Sequence, residues 1–221
     1  MAQRILELRV SHKGIKPVRN GHPWIFKNTL AGAPRPARIS ASINRVVFGP
    51  QALRWEHSCP ALISGPAGEP IGWGVYNPRA RLAVRVVSRT PERPFTAEVL
   101  REILVRAVDA RAPLFADPQQ EAFRLVFGEA DGAPGVAADL YGSVLSVQYS
   151  SAFAWDNATV IEETLRSCLA ARRVEATVVR SVDRAMFKRE GIEVPENGIG
   201  PTVDDTEEAE GATATEATEP Q

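Results

Sequence analysis

Residues 71–88, IGWGVYNPRARLAVRVVS, read as two strands joined by a turn that Asn77-Pro78 stiffens. In the second strand, 81–88, Leu82, Val84 and Val86 alternate with Arg81, Ala83, Arg85 and Val87, so the first set is expected inward and the second outward. Upstream, 60–64 (PALIS) and 71–76 (IGWGVY) flank Gly65-Pro66-Ala67-Gly68-Glu69-Pro70, a hairpin with a loop. Residues 3–10 alternate as a further strand, and Gly14, Pro17 and Gly21 break the following stretch into turns. Short strands joined by Gly/Pro turns predict a small β-barrel over residues 1–90. Residues 34–58 show weak periodicity and read as an insertion.

After the linker Thr90–Pro94 the pattern changes to helix. Thr96 is a candidate N-cap, Val99, Leu100, Ile103, Leu104, Ala107 and Val108 form an apolar stripe, and Pro113 is expected to end the helix. A strand at 122–127 and a hairpin of 136–139 with 143–149 follow. A second helix is expected from an N-cap at Asp156, with Trp155 stapled on Val160 and a stripe of Ile161, Leu165, Cys168 and Leu169. A strand at 174–180 completes an α+β domain over 95–198, its two helices packed on a sheet. Residues 199–221 are acidic and lack large apolar side chains, so they read as a disordered tail.

Charge divides along the same boundaries. Residues 1–100 hold 15 Lys and Arg against 5 acids, residues 101–200 hold 11 against 15, and 201–221 hold 7 acids and no base. The near-neutral total of −1 hides this, and a basic front end suits a polyanion because each neutralised phosphate releases counterions. The two cysteines, Cys59 and Cys168, are too few for a disulfide framework. No signal peptide or apolar run of membrane length is present, which leads to the expectation of a cytoplasmic protein.

Two segments could carry binding. In Gly21-His22-Pro23-Trp24-Ile25-Phe26, His22 sits at a turn and Trp24 offers a stacking face, although core packing is the favoured reading of Trp24 and Phe26. In Tyr76-Asn77-Pro78-Arg79-Ala80-Arg81, two guanidinium groups flank a rigid turn, with Arg85 farther along. The expected RNA contacts are Lys13, Lys16, Arg19, His22, Arg79, Arg81 and Arg85, with Trp24 stacking or supporting them.

These segments, with Gly72–Pro78, Gly128–Val136, Asp139–Gly142, Val147-Gln148, Arg180–Asp183 and Arg189–Gly191, resemble bacterial large-subunit (23S) rRNA cytosine-C5 methyltransferases. The likeness covers roughly 3–30 and 60–198. It implies a PUA domain, a central α/β domain, ribosomal RNA as partner and, for the full-length family, a class I methyltransferase domain using S-adenosylmethionine. Ala80 departs from the family's usual serine.

No cofactor, metal or catalytic residue is expected in this chain. Gly198-Ile199-Gly200 is only a G-x-G, and Pro201 and acids follow it where a cofactor site needs a helix. Cytosine-C5 chemistry needs a thiolate, but Cys59 reads as a bystander and Cys168 as core. Glu129, Asp131 and Asp139 sit in or beside Gly/Pro turns and are expected to serve local hydrogen bonds, and His12, His22 and His57 lack metal-ligand spacing. The resulting expectation is the docking and spacer portion of an rRNA methyltransferase-family protein. The alternatives are a truncated or split enzyme whose catalytic domain is a separate methyltransferase chain, and a protein-interaction adaptor using the acidic tail.

Overall fold

The computed structural model describes residues 5–38, 41–48, 52–117 and 119–193. The expected disordered tail, and Gly198-Ile199-Gly200 with it, lie outside the described residues.

The front unit is a six-stranded sheet: β1 (Leu6–Arg9), β2 (Trp24–Phe26), β3 (Arg35–Pro36), β4 (Cys59–Ser64), β5 (Pro70–Tyr76) and β6 (Leu82–Ser88). Its order is β2-β6-β5-β4-β1-β3, with β1 parallel to β4 and the other pairs antiparallel. The expected barrel needs correction here, because among the described residues the ladder stays open and ends on β2 and β3. The sheet does curl: Val10 bridges Leu30, and the Ala31 N–H donates to the Arg9 carbonyl at 2.7 Å. The segment after β2 therefore returns to β1 without forming a ladder. Gly72 permits the curl, since a Cβ there would lie 2.0 Å from the Ser88 carbonyl oxygen.

One helix of this unit falls where only turns were expected. Helix α1 (His12–Arg19) starts at Ser11, whose side chain accepts from the Gly14 N–H, and it buries Ile15 and Val18. Its eight residues include Gly14 and Pro17, both poor helix formers, which hides it from propensity. Residues 34–58 contain β3 and helix α2 (Ala41–Phe48), and 52–58 then run as a strap onto the second unit.

The second unit holds helices α3 (Ala97–Ala110), α4 (Ala112–Ala116), α5 (Ala152–Asp156), α6 (Ala158–Ala170) and α7 (Arg184–Glu190). Its strands are β7 (Ala122–Phe127), β8 (Val136–Tyr141), β9 (Val144–Tyr149) and β10 (Thr177–Val182), in the order β10-β9-β8-β7. Thr96 caps α3, and the whole expected stripe is buried. α3 ends at Ala110, shortly before Pro113 as expected, and Pro113 itself lies in the first turn of the short α4. The second expected helix divides in two: Ser151 caps α5, and α6 begins after Asn157. Asp156 caps neither helix, because its carboxylate is engaged elsewhere.

The two units share one core. Trp73 and Val75 from the outer face of the front sheet join Phe95, Phe153 and the α3 and α6 stripes, while Leu8, Val10, Ile25, Val84 and Val86 fill the inner side. The strap is part of this union. Trp55 lies 5.2 Å from the Phe153 ring, the Asn157 side chain bonds both the N–H and the carbonyl of Arg54, and Asp156 accepts from His57 Nδ1 at 2.8 Å. Trp55→Ala should cost about 3–5 kcal/mol of stability, as removal of a core tryptophan does, measurable by equilibrium denaturation. A loss near zero would mean that the strap does not hold the units together.

Candidate nucleic-acid interface

The sequence-predicted contacts fall on three parts of the front unit: Lys13, Lys16 and Arg19 on α1, His22 and Trp24 at the start of β2, and Arg79, Arg81 and Arg85 on the turn into β6 and the strand itself. On β2, Ile25 points into the inner core while Trp24 and Phe26 point the other way, 39% and 38% exposed. This overturns core packing as the reading of both aromatics: β2 is an edge strand, and its outer face is only partly covered. The Trp24 N–H donates to His22 Nδ1 at 3.2 Å, and the two rings meet edge-on at 6.0 Å. His22 and Trp24 thus form one exposed unit at the end of a turn.

Arg89 builds that turn and was missed by sequence reading. Its guanidinium donates to the carbonyls of Val18, Gly21 and His22, tying α1 and the 21–22 turn to the end of β6. No local pattern signals this, because the partners are about seventy residues away.

Lys13, Lys16, Arg79 and Arg81 are exposed and, among the described residues, form no ion pair. Lys27 was also missed; it is exposed, and its Nζ donates to the Pro78 carbonyl at 3.1 Å. That contact sets β2 beside the Arg79 turn, which the Asn77 side chain shapes by accepting the Arg79 N–H at 2.9 Å. Arg19 is exposed but already holds Glu69 at 2.6 Å.

Arg85 must be removed from the expected contacts. It is 4% exposed, and its guanidinium pairs with Glu129 and, at 3.0 Å, with Glu190, while also donating to the Ser150 carbonyl. Period-two alternation put it on the outer face correctly, but the second unit covers that face. The network continues to Asn77, which donates to the Glu190 carboxylate at 2.8 Å and to its carbonyl at 2.9 Å. Glu129 is therefore a long-range partner, not a turn residue. Asp131 does both, bonding the Phe127 N–H and pairing with Arg111, and Asp139 pairs with Arg124 across the sheet.

The chemistry-bearing candidates are quiet. Burial pushes the Cys59 thiol up to about 12, which keeps it protonated and unreactive at neutral pH. Cys168 is buried on α6, and burial raises it as well. Glu56, His57 and Asp156 gather within 4.8 Å, a grouping that spacing across a hundred residues could not reveal. Both Asp156 oxygens already accept hydrogen bonds, from the Glu56 and His57 N–H groups and the His57 ring, so the group acts as a latch on the strap. Burial raises the Asp156 carboxyl despite those donors. Among the described residues, the one glycine-rich loop of the second unit lacks the form of an S-adenosylmethionine site. The glycine-rich loop 128–135 joins two strands instead of leading a strand into a helix, and Arg85 and Arg111 already hold its acids.

The similarities of the chain point to one class of protein. A ribosomal RNA large subunit methyltransferase I from Alteromonas mediterranea is 30% identical over 137 residues, 62% of this chain and 30% of that protein. The protein of the same name from Escherichia coli strain UTI89 is 26% identical over 184 residues, 83% of this chain and 41% of that protein. The relatives are ribosomal RNA methyltransferases. The chain spans less than half of their length. No family model matches it. Among solved structures, a candidate methyltransferase complexed with SAH superposes with a TM-score of 0.62 at 13% identity, covering 82% of this chain and 41% of the other. A candidate SAM-dependent methyltransferase from Streptococcus mutans gives 0.61 at 14% identity, covering 88% and 47%. At such identities the structures support the mixed α+β fold alone.

Arg85→Ala should leave two carboxylates facing a dry junction and cost about 3–5 kcal/mol, the usual consequence of removing one partner of a buried ion network. Thermal unfolding of the variant checks this, and a wild-type melting temperature would refute the assigned role.

Proposed function

We propose that residues 5–193 form the RNA-docking portion of an rRNA methyltransferase-family protein, with the front sheet in the role of a PUA-like RNA-binding domain. The observation that carries this reading is the exposed Trp24 ring beside His22 on an edge strand, within a surface bearing Lys13, Lys16, Arg79 and Arg81. Unpaired bases stack on such rings, while lysine and arginine hold the phosphates between them. The relatives' printed names supply ribosomal RNA as the partner. Arg19 stays in the proposed set as a peripheral cation because its exposed pair with Glu69 is weak in water.

On this reading the described residues dock and position. Neither cysteine is suited to attack a base, and the region that would hold S-adenosylmethionine is assigned outside them. This reading places the protein in the cytoplasm, and no described helix is long and apolar enough to cross a membrane.

The double variant Arg79→Glu, Arg81→Glu should bind rRNA fragments at least tenfold more weakly. The slope of log affinity against log salt should shrink by about one to two, since each lost phosphate contact removes roughly 0.7–0.9. Filter binding at several salt concentrations measures both, and an unchanged slope would reject the assignment.

A further inference from the structure

We propose that the RNA surface is composite: an unpaired RNA strand stacks a base against Trp24 and Phe26 and continues onto α7 of the second unit, where Arg184, Lys188 and Arg189 receive its phosphates. This rests on the RNA-docking reading and adds to it a second stacking ring and a second unit.

The strand pairing sets the direction. Trp24 lies opposite Arg85, on the sheet face that meets the second unit, and Phe26, two residues on, pairs with Leu82 past a bulge in the ladder. Both rings flank the buried Ile25 and are exposed, about 7 Å apart along the strand. From Phe26 the contacts lead directly to α7. Lys27 holds the Pro78 carbonyl at 3.1 Å, and Arg79 Nη1 reaches the Gly191 carbonyl at 3.4 Å. Gly191 is the left-handed C-cap of α7, at φ 71°, and a Cβ there would lie 2.9 Å from Arg79 Cβ. The helix is also anchored from within by Phe187 in the core and Glu190 on Arg85.

The outer side of α7 carries Arg184, Lys188 and Arg189, all exposed and, among the described residues, without an ion pair. Arg111, Arg124, Arg172 and Arg180 of this unit each hold a carboxylate, whereas Arg101, Arg106, Arg166 and Arg173 are exposed like the cations of α7. Lys188 and Arg189 sit in the last turn of α7, where the helix dipole favours cations, and Arg184 sits in the first turn beside the N-cap Asp183. What distinguishes this group is its place: its helix is the one that Arg79 touches at Gly191, so a polyanion held by Arg79 would run onto these three charges.

The test uses the intact chain and a twelve-residue oligouridylate, with a perfectly paired RNA hairpin alongside. Trp24 is the exposed tryptophan, whereas Trp55 and Trp73 are buried and Trp155 is half-buried against Tyr149 and Phe187, so stacking should quench the Trp24 share of the fluorescence. Trp24→Leu should abolish the quench and weaken binding roughly fivefold or more, and Phe26→Leu should weaken it by a similar factor. The triple variant Arg184→Ser, Lys188→Ser, Arg189→Ser should keep the quench but lower the salt slope by about 0.7 per lost contact, near two in all. The hairpin should bind without quenching. A triple variant with wild-type affinity and slope, where Arg79→Glu, Arg81→Glu still binds weakly, would overturn the composite surface and leave RNA docking standing. Failure of the wild type to bind either RNA at low salt would overturn the docking reading itself.

Discussion

A buried guanidinium holds this structure together. Arg85 extends from the front sheet into the junction and is gripped there by Glu129 from a loop of the second sheet and Glu190 from the end of α7. Asn77 supplies further donors to Glu190, and its own carbonyl oxygen shapes the turn that presents Arg79. A charge so far from water is tolerated only when its partners are fixed. The network therefore fixes the relative placement of the two units. The aromatic edge of one and the cationic helix of the other meet at the same junction, so the surface proposed for RNA is set by a contact buried beneath it.

The surface itself follows from leaving one strand edge uncovered. Ile25 takes the inward position on β2, so its neighbours Trp24 and Phe26 point outward at the open end of the sheet. Arg89 fixes the neighbouring turn through three carbonyls, so His22 and Trp24 are held before any ligand arrives. Such preorganisation lowers the entropy cost of binding. The relatives at 26–30% identity are named ribosomal RNA methyltransferases, and this chain covers 30–41% of them. Among the described residues both cysteines are poor nucleophiles, Cys59 because its thiol is held protonated and Cys168 because it is buried.

Much of the fold was legible from local pattern. The 60–76 hairpin, the strand at 82–88 and α3 with its Thr96 cap all came from periodicity and capping chemistry, which act within a few residues. The short helices α1 and α7 escaped because segments of eight and seven residues, the first holding a Gly and a Pro, leave little helical signal. Long-range placement was the larger gap. Arg85 was assigned to the correct face but not to its burial, since its partners lie 44 and 105 residues away. Trp24 and Phe26 were misjudged for the same reason: whether an apolar residue is covered depends on which strand lies beside it. The exposed cations Lys13, Lys16, Arg79 and Arg81 needed no such knowledge, as charge alone keeps them in water.

The most direct measurement is the affinity of the intact chain for a single-stranded ribosomal RNA fragment as salt is raised. Between about 50 and 200 mM the account predicts a fall of roughly a hundredfold, as about five phosphate contacts are screened. Affinity that stays level across that range, or no binding at its lower end, would contradict it.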